Sequence, residues 1–484
     1  MEKHILSKST FIKGHQCLKA LYLHKKRPFL RDRLSAEQLA KFKRGHQVGD
    51  LAQQLFPNGI DVSPKSPAQY QKAAIQTQEL INQGEKVIYE ATFQYNKVLI
   101  MLDILVKTET GWDAFEVKSS RSLSETYYTD ASLQYYIITQ SGMNLNSFSL
   151  VYVNENYKLE KDKPFDLNTY FIRQEVSDEL KKRQSEIAEQ IEKQFHILNE
   201  KHSPNIEVGS HCFYPYPCDF QGFCWKEKPN DIFKIPALSK EQTSELLDRA
   251  VFSLDDLKKQ TFELPLVSKQ IDYLNANQSF VDEKLKEEIL ASKANFAVFG
   301  YVCKESAIPD YIHFNPYQKQ WIAYSISQNN KLVSHVFSGN ADKYSVFIST
   351  MLSHLESHKQ IVVFDKEECI EILDQHSCIF PEFKNQFNNL RTKLIGLKQW
   401  IEEGKIYFPG ISQDIGFNET INNILKINSF TNQKIASDIQ AVSFYAEIDK
   451  NSDLNNSLKE EMMLINRYTH SKVEYLGKCI EKLG

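Results

Sequence analysis

Two neighbouring apolar runs of the chain each carry charged side chains, and this pattern constrains the fold more than any other. Asp103 lies in the run 97–107, and Glu116 and Lys118 lie in the run 112–118. Both runs favour strands, and the polar stretch between them predicts a turn. Side chains alternate along a strand, so Glu116 and Lys118 share one face. Charges among apolar residues are costly unless they are paired or bound to metal, so we expect the hairpin to bring these three groups together.

The segments around this hairpin predict an α/β domain built on a mixed sheet. Apolar periodicity and turn residues predict helices over 35–56, 66–83, 127–141 and about 177–200. Strand-like runs lie at 86–94, 97–107, 112–118 and 147–153. This alternation of helices and strands is typical of a sheet that is flanked by helices.

The two carboxylates and the lysine suggest metal chemistry. Converging carboxylates suit a hard divalent cation such as Mg²⁺ or Mn²⁺. Such an ion polarises a phosphate and activates a water molecule, and a neighbouring lysine offsets the developing negative charge. On these residues alone, the alternative is a strand pair with an internal Lys–Glu contact, because short patterns recur by chance.

The cysteines suggest a second site. Three of the eight cysteines, Cys212, Cys218 and Cys224, have five residues between neighbours in a turn-rich segment. In a reducing compartment, clustered cysteines indicate a metal rather than disulfides. Cys17, in a basic segment near the N-terminus, is the candidate fourth ligand, and four thiolates suit a 4Fe-4S cluster. Structural zinc is the alternative, with His211 as a substitute ligand, although zinc sites usually contain cysteines two to four residues apart.

The order of these motifs along residues 1–228 resembles the PD-(D/E)XK nuclease superfamily. The likeness is greatest to its RecB-type branch, which includes the AddB nucleases and the CRISPR-adaptation exonucleases. The resemblance implies a restriction-endonuclease-like mixed sheet flanked by helices. It is carried by the segments 44–46, 89–93, 102–105, 115–120 and 133–136.

The resemblance also implies a role for individual residues. It assigns the metal to Asp103, Glu116, the Val117 carbonyl and His46. Lys118 is then the catalytic lysine, and Gln134 positions this lysine or the DNA. His46 has the alternative of a structural residue on a helix face, and Glu90 is as well suited to a structural role as to a catalytic one. Many relatives carry a tyrosine where this chain has Ile138.

The cysteines extend the resemblance. One N-terminal cysteine combined with three near the end of the domain is similar to the iron–sulfur staple of the same nucleases. The likeness implies that Cys17, Cys212, Cys218 and Cys224 hold a 4Fe-4S cluster. Its role is structural, because it joins parts of the chain that are about 200 residues apart.

The rest of the chain predicts a helical connector over 229–295 and a second α/β domain over 296–484. Predicted strands lie at 296–303, 310–314, 320–326 and 360–364, and predicted helices at 342–357, 367–376, 383–402, 431–448 and 456–482. This domain resembles a domain of unknown function that follows such nucleases and looks like a ribonuclease H-like exonuclease. Such exonucleases hold two metal ions with about four acidic residues. The first strand here carries none, so we expect a degenerate domain that serves binding or a protein partner.

Charge and composition suit a nucleic-acid enzyme. Residues 1–60 contain twelve Lys or Arg and four Asp or Glu, although the chain carries a formal charge of −4. A basic lobe of this kind favours a polyanion. No apolar run approaches the ~20 residues of a membrane helix, and the N-terminus lacks an apolar signal core, so we expect a cytoplasmic protein.

Taken together, the motifs and the resemblance predict a Mg²⁺- or Mn²⁺-dependent nuclease acting on DNA single strands or ends, in bacterial DNA repair or phage defence. A non-catalytic DNA-binding or scaffold subunit and an RNA substrate stay open.

Overall fold

The computed structural model describes residues 4–160, 163–292, 296–311, 313–328, 331–339, 341–431, 433–449 and 456–484. The chain divides into two compact units, Met1–Glu227 and Lys228–Gly484. Each unit combines a mixed sheet with helices, which confirms the predicted α/β class. Within the described residues, no helix has both the length and the apolar character needed to cross a membrane.

The first unit is built on one seven-stranded sheet. Its strands are β1 (Leu6–Ser7), β2 (Ile60–Asp61), β3 (Val87–Tyr95), β4 (Val98–Lys107), β5 (Trp112–Lys118), β6 (Leu145–Val153) and β7 (Phe171–Glu175). The strands follow the order β2-β3-β4-β5-β6-β7, and β1 pairs with β4. The β1–β4, β2–β3 and β5–β6 pairs are parallel, and the others are antiparallel.

Helices cover this sheet. They are α1 (Lys8–Gln16), α2 (Leu18–Lys26), α3 (Ala36–Gln53), α4 (Tyr70–Gln83), α5 (Glu125–Gln140), α6 (Leu167–Tyr170), α7 (Ser177–Lys182), α8 (Gln184–Asn199) and α9 (Gln221–Cys224). Ser35 begins α3 with a capping box, in which its side chain and that of Gln38 each accept from the other's backbone N–H. Helix α5 packs against β3, β4 and β6 and against α1 and α8.

Strand β4 has β3 along one edge, from Val98 to Val106, and two different strands, β1 and β5, along the other. Strand β1 pairs with Val98 and Leu99, whereas β5 pairs only from Ile104 onwards. The strands β1 and β5 therefore follow one another along the same edge and leave a gap beside Asp103. This gap positions the candidate site.

The predicted elements of the first unit form with small shifts at their ends. The predicted helix over 177–200 is two helices, α7 and α8, separated at Arg183. The short strands β1, β2 and β7 were not predicted, because two to five residues carry too little periodicity.

The second unit contains a five-stranded sheet and a two-stranded one. Its strands are β8 (Phe280–Val281), β9 (Phe296–Glu305), β10 (Lys319–Gln328), β11 (Lys331–Val336), β12 (Gln360–Val363), β13 (Leu394–Gly396) and β14 (Ile406–Tyr407). The larger sheet has the order β11-β10-β9-β12-β13. Strands β9, β10 and β11 are antiparallel neighbours, and β12 and β13 continue the sheet in parallel.

Eleven helices are described in this unit. They are α10 (Lys240–Asp248), α11 (Leu254–Leu257), α12 (Pro265–Ala276), α13 (Glu283–Ser292), α14 (Ala341–Glu356), α15 (Lys366–Ile379), α16 (Lys384–Lys393), α17 (Leu397–Glu402), α18 (Phe417–Leu425), α19 (Asp438–Asp449) and α20 (Asn456–Leu483). The larger sheet has apolar packing on both faces, since Ala297 and Phe299 join one apolar cluster and Val298 joins another. Helix α20 packs across β9, β10 and β11.

Three sequence predictions for the second unit are corrected. The segment 229–295 is not a wholly helical connector, because it contains β8, which pairs with β14, and it belongs to the second unit. The described part of 310–314 forms no strand. The predicted helix over 383–402 is divided into α16 and α17 by β13, which pairs with β12. In the first and third cases the pairing partner is distant in sequence, so local periodicity does not indicate it.

Candidate functional site

The gap beside β4 is closed by a side chain instead of a strand. The Asp103 carboxylate accepts a hydrogen bond from the Val117 backbone N–H, with a distance of 2.6 Å from Val117 N to Asp103 Oδ2. The regular pairing of β4 and β5 ends at Ile104 and Phe115. Asp103 therefore extends the contact between the strands beyond the last backbone pair. It fixes the direction in which Glu116 and Lys118, on either side of Val117, leave the strand.

Glu116 is shared by two lysines. Lys118 Nζ lies 2.8 Å and Lys8 Nζ lies 2.7 Å from the same oxygen, Glu116 Oε1. The Glu116 side chain is almost fully buried. Its other oxygen, Oε2, has no hydrogen-bond partner among the described residues. A buried carboxylate with one free oxygen has a lone pair available for a cation.

Asp130 holds Lys118 from the opposite side. Asp130 Oδ2, on α5, lies 2.5 Å from Lys118 Nζ. Lys118 is thus fixed between two carboxylates, and its ammonium also lies 5.2 Å from the centre of the Tyr127 ring. These contacts leave Lys118 little freedom to change position.

The pKa values of the two carboxyl groups, Asp103 and Glu116, are shifted in opposite directions. Burial, followed by the charge of Glu116, raises the pKa of Asp103 well above its usual value. Burial also acts to raise the pKa of Glu116, but Lys118 and Lys8 outweigh it and hold this pKa well below its usual value. For Lys118, burial is outweighed by Asp130 and Glu116, and its pKa rises, so it stays charged at neutral pH. A divalent cation between Asp103 and Glu116 would allow both carboxylates to ionise.

Glu90 lies on β3 opposite Asp103 and is strained. Its φ is +54°, a left-handed conformation that is rare for a residue other than glycine. The β3–β4 pairing runs from Tyr89 to Ala91 and omits Glu90. Burial raises the pKa of Glu90 to about 7. Backbone strain of this kind is frequent at functional sites, which favours a role of Glu90 in the site.

Two residues that the sequence predicted for the site do not join it directly. Gln134 is fully buried on α5, one turn after Asp130, and neither polar atom of its amide has a partner among the described residues. His46 is exposed on α3 and makes no hydrogen bond or ion pair with the residues that the structure describes. The helix itself is near the centre, since a Cβ at Gly45 would lie 3.9 Å from Ser119 Oγ. The structure therefore places α3 beside β5 but does not bring the His46 side chain to the carboxylates.

Sequence reasoning missed Lys8 and Asp130. Asp130 had a usable signal, because it precedes Gln134 by four residues and lies on the same buried helix face. Lys8 had none, because it follows a two-residue strand whose partner is about ninety positions away.

The four predicted cysteine ligands line one pocket. Cys17 lies between α1 and α2, and Cys212, Cys218 and Cys224 come from the loop around α9. None of the cysteines forms a disulfide. Burial raises the pKa of Cys17, of Cys224 and of Cys218, the last to about 11, and the neighbouring thiols add to each shift. His211 also lines the pocket, with Nε2 3.8 Å from Cys212 Sγ.

The cysteine loop is tied to α1 by polar contacts. Lys13 Nζ lies 2.6 Å from Asp219 Oδ2. The amide nitrogen of Gln16 lies 2.8 Å from the His211 carbonyl oxygen and 2.7 Å from that of Tyr216. These bonds join segments about 200 positions apart and hold Cys17 next to the loop.

The carboxylates of the hairpin and the four thiols of the cysteine pocket are chemically suited to bind metals. As the side chains are placed, the described residues contain no group of three or more His, Cys, Asp or Glu that would hold one ion. The orphaned Glu116 Oε2 and the raised pKa of Asp103 nevertheless fit a hard divalent cation. Four thiols that line one pocket fit an iron–sulfur cluster or a zinc ion.

In the second unit, two acidic residues, Asp438 and Asp365, are each paired with a lysine. Lys472, on α20, is buried and lies 2.8 Å from both the Tyr301 carbonyl oxygen and Asp438 Oδ1. Asp365 caps α15 and lies 2.6 Å from Lys398 Nζ. The ammonium group of Lys472 therefore lies beside β9, paired with Asp438.

Comparisons with known proteins match a family model to part of the second unit. Residues 298–413 match the model of a domain of unknown function (DUF2779). No curated protein matches the chain. A solved structure described as "Crystal structure of SSO0001" aligns with 46% of this chain and 87% of its own chain, at 13% identity and a TM-score of 0.20. That TM-score is too low to support a common fold, so the nuclease resemblance of residues 1–228 stays a prediction.

Proposed function

We propose that the first unit is a divalent-cation-dependent nuclease that acts on DNA, on single strands or at ends. The supporting observation is the convergence of Asp103, Glu116 and Lys118 at the gap beside β4, where one carboxylate oxygen has no partner. Burying the charged groups of these three strand residues costs folding free energy. A catalytic role would explain why the chain carries them at this place.

The metal-binding residues are Asp103, Glu116 and the carbonyl of Val117. Mg²⁺ or Mn²⁺ held there would polarise the scissile phosphate of the substrate and activate a water molecule. Lys118 stays protonated between Glu116 and Asp130 and offsets the charge that develops on the phosphate. Asp130 orients Lys118, and Glu90 lies opposite Asp103 on β3. His46 would reach the site only with a change of its side chain's position.

The four cysteines support a structural cluster in the same unit. We assign a 4Fe-4S cluster to the pocket of Cys17, Cys212, Cys218 and Cys224, with zinc as the alternative. The cluster would reinforce the bonds that already hold the loop against α1.

The N-terminal surface supports a nucleic-acid substrate. From the end of α2 to the first half of α3, the exposed basic side chains are Lys25, Lys26, Arg27, Arg31, Arg33, Lys41 and Lys43. Phe29 and Phe42 are 79% and 53% exposed in the same segments. Basic side chains bind the phosphate backbone, and exposed aromatic rings stack on unpaired bases, a combination typical of single-strand binding.

For the second unit we propose a degenerate ribonuclease H-like domain that serves binding or assembly. The order β11-β10-β9-β12-β13, with three antiparallel strands followed by two parallel ones, supports this class. The ion pair of Lys472 with Asp438 supports the loss of its metal chemistry.

One experiment tests the catalytic proposal. The full chain is purified without oxygen, its visible spectrum is recorded, and the same sample is assayed on single- and double-stranded DNA with Mn²⁺. We expect cleavage that is lost in Lys118→Ala and retained in Lys181→Ala, an exposed lysine on α7. If wild type and Lys118→Ala cleave DNA equally well, the centre of Asp103, Glu116 and Lys118 does not carry the activity.

The second candidate is a DNA-binding subunit without turnover. It is favoured by the exposed position of His46, which the structure does not bring to the carboxylates. It predicts salt-sensitive DNA binding with no cleavage in any divalent cation.

A further inference from the structure

We propose that Lys8 is a second lysine of the nuclease centre. It pairs with Glu116, and it would turn to a substrate phosphate when a divalent cation takes this carboxylate. The inference rests on the proposed function and adds to it a phosphate-binding residue that comes from outside the β4–β5 hairpin.

The sheet itself delivers Lys8 to the centre. Ser7, the last residue of β1, pairs with Leu99 of β4, and Lys8 follows directly as the first residue of α1. Since β1 and β5 share one edge of β4, Lys8 enters the gap from one end and Lys118 enters it from the other. Both ammonium groups end at Glu116 Oε1.

The two lysines differ in how firmly they are held. Lys118 lies between two carboxylates, and its side chain is 13% exposed. Lys8 pairs with Glu116 alone among the described residues, and its side chain is 30% exposed. Lys8 can therefore leave Glu116 at the loss of one contact and turn toward solvent, where a bound strand would lie. Lys118 would have to break two contacts to do the same.

Metal binding supplies a reason for Lys8 to move. A divalent cation and an ammonium group that share one carboxylate repel each other, and the compact cation binds carboxylate oxygens more strongly. Lysine carries its charge on a flexible stem and binds phosphate as a point charge. Lys8 thus competes with the metal for Glu116 and, once released, offsets charge on the phosphate.

The first test measures metal binding without catalysis. The full chain is titrated with Mn²⁺, and the electron paramagnetic resonance signal of free Mn²⁺ is recorded for wild type, Lys8→Gln and Lys8→Met. We expect both variants to bind Mn²⁺ about tenfold more tightly than wild type, because a competing cation is removed. Lys8→Arg and Lys181→Gln should bind as wild type does. Equal or weaker binding by the two neutral variants would overturn the proposal.

The second test measures turnover at saturating Mn²⁺, after melting temperatures have identified the variants that fold. We expect kcat for DNA cleavage to fall about 10- to 100-fold in the folded neutral variants and to recover partly in Lys8→Arg. A residue with only a structural role would instead weaken metal binding together with kcat. If wild type neither binds Mn²⁺ nor cleaves DNA, the proposed function fails. If wild type does both and the neutral variants match it, only the role of Lys8 fails.

Discussion

The carboxylate of Asp103 accepts a hydrogen bond from the backbone N–H of Val117 at 2.6 Å. Through this bond, a side chain takes over where the backbone pairing of β4 and β5 ends. The neighbours of Val117, Glu116 and Lys118, are thereby held at a fixed distance from Asp103. Asp103 has both a structural and a proposed catalytic role, and suitable substitutions separate them.

Asp103→Asn should retain the fold and lose activity. The amide oxygen still accepts from the Val117 N–H, but the negative charge for a metal is gone, so we expect DNA cleavage to fall on the order of 100-fold. Asp103→Ala should in addition lower the free energy of unfolding by about 1–3 kcal/mol, because a buried N–H loses its partner. Cleavage assays and urea unfolding measure the two effects. Full activity of a folded Asp103→Asn protein would exclude Asp103 as a ligand.

Asp130→Asn should impair catalysis through Lys118. The ion pair of Asp130 with Lys118 is lost, and Lys118 is then oriented by Glu116 alone. We expect kcat to fall about 10- to 100-fold, as for other partners of catalytic groups. Asp178→Asn, on the exposed surface of α7, is the matched control and should cleave as wild type does. A wild-type kcat for Asp130→Asn would show that Lys118 needs no partner on α5.

Cys218→Ser should remove the cluster and destabilise the first unit. The substitution replaces one of four thiols in the pocket, so we expect loss of visible absorption and a melting temperature lower by at least about 5 °C. Cys378→Ser changes an exposed cysteine of the second unit and should leave both quantities unchanged. An unaltered spectrum and melting temperature in Cys218→Ser would contradict the cysteine assignment. If metal analysis finds zinc instead of iron, the pocket holds a structural zinc ion and not an iron–sulfur cluster.

The stability of the second unit should fall in mild acid because of His376. Its ring is fully buried, with Nδ1 2.9 Å from the Ile372 carbonyl oxygen and Nε2 3.0 Å from the Tyr344 hydroxyl. Burial lowers the pKa of His376 to about 4. Below about pH 6.5 the unfolded chain takes up a proton here and the folded chain does not. The free energy of unfolding therefore decreases as the pH falls from about 6.5 to 4, by roughly 3 kcal/mol in total.

Urea unfolding at pH 7.5 and pH 5 measures this dependence. His376→Gln should reduce the difference between the two pH values, whatever its effect on stability at neutral pH. His470→Gln, at an exposed position of α20, should preserve the difference. The same pH dependence in His376→Gln and wild type would assign the proton uptake to another group.

The sequence predicted much of the secondary structure of the first unit. The strands β3 to β6 and the helices α3, α4 and α5 have enough apolar periodicity to be recognised locally. The short strands β1, β13 and β14 do not, because they exist only through partners far along the chain. The division of 383–402 by β13 and the inclusion of 229–295 in the second unit depend on the same non-local pairing.

What the sequence determined by itself is the meeting of three charged side chains in the first unit. Asp103, Glu116 and Lys118 lie on adjacent strands of one hairpin, so their meeting follows from local rules of pairing and alternation. Only the tertiary structure decided which other groups join them. It brings Lys8 and Asp130 to the centre and leaves His46 exposed, because the register of β1 and the packing of α5 are set by contacts between distant parts of the chain.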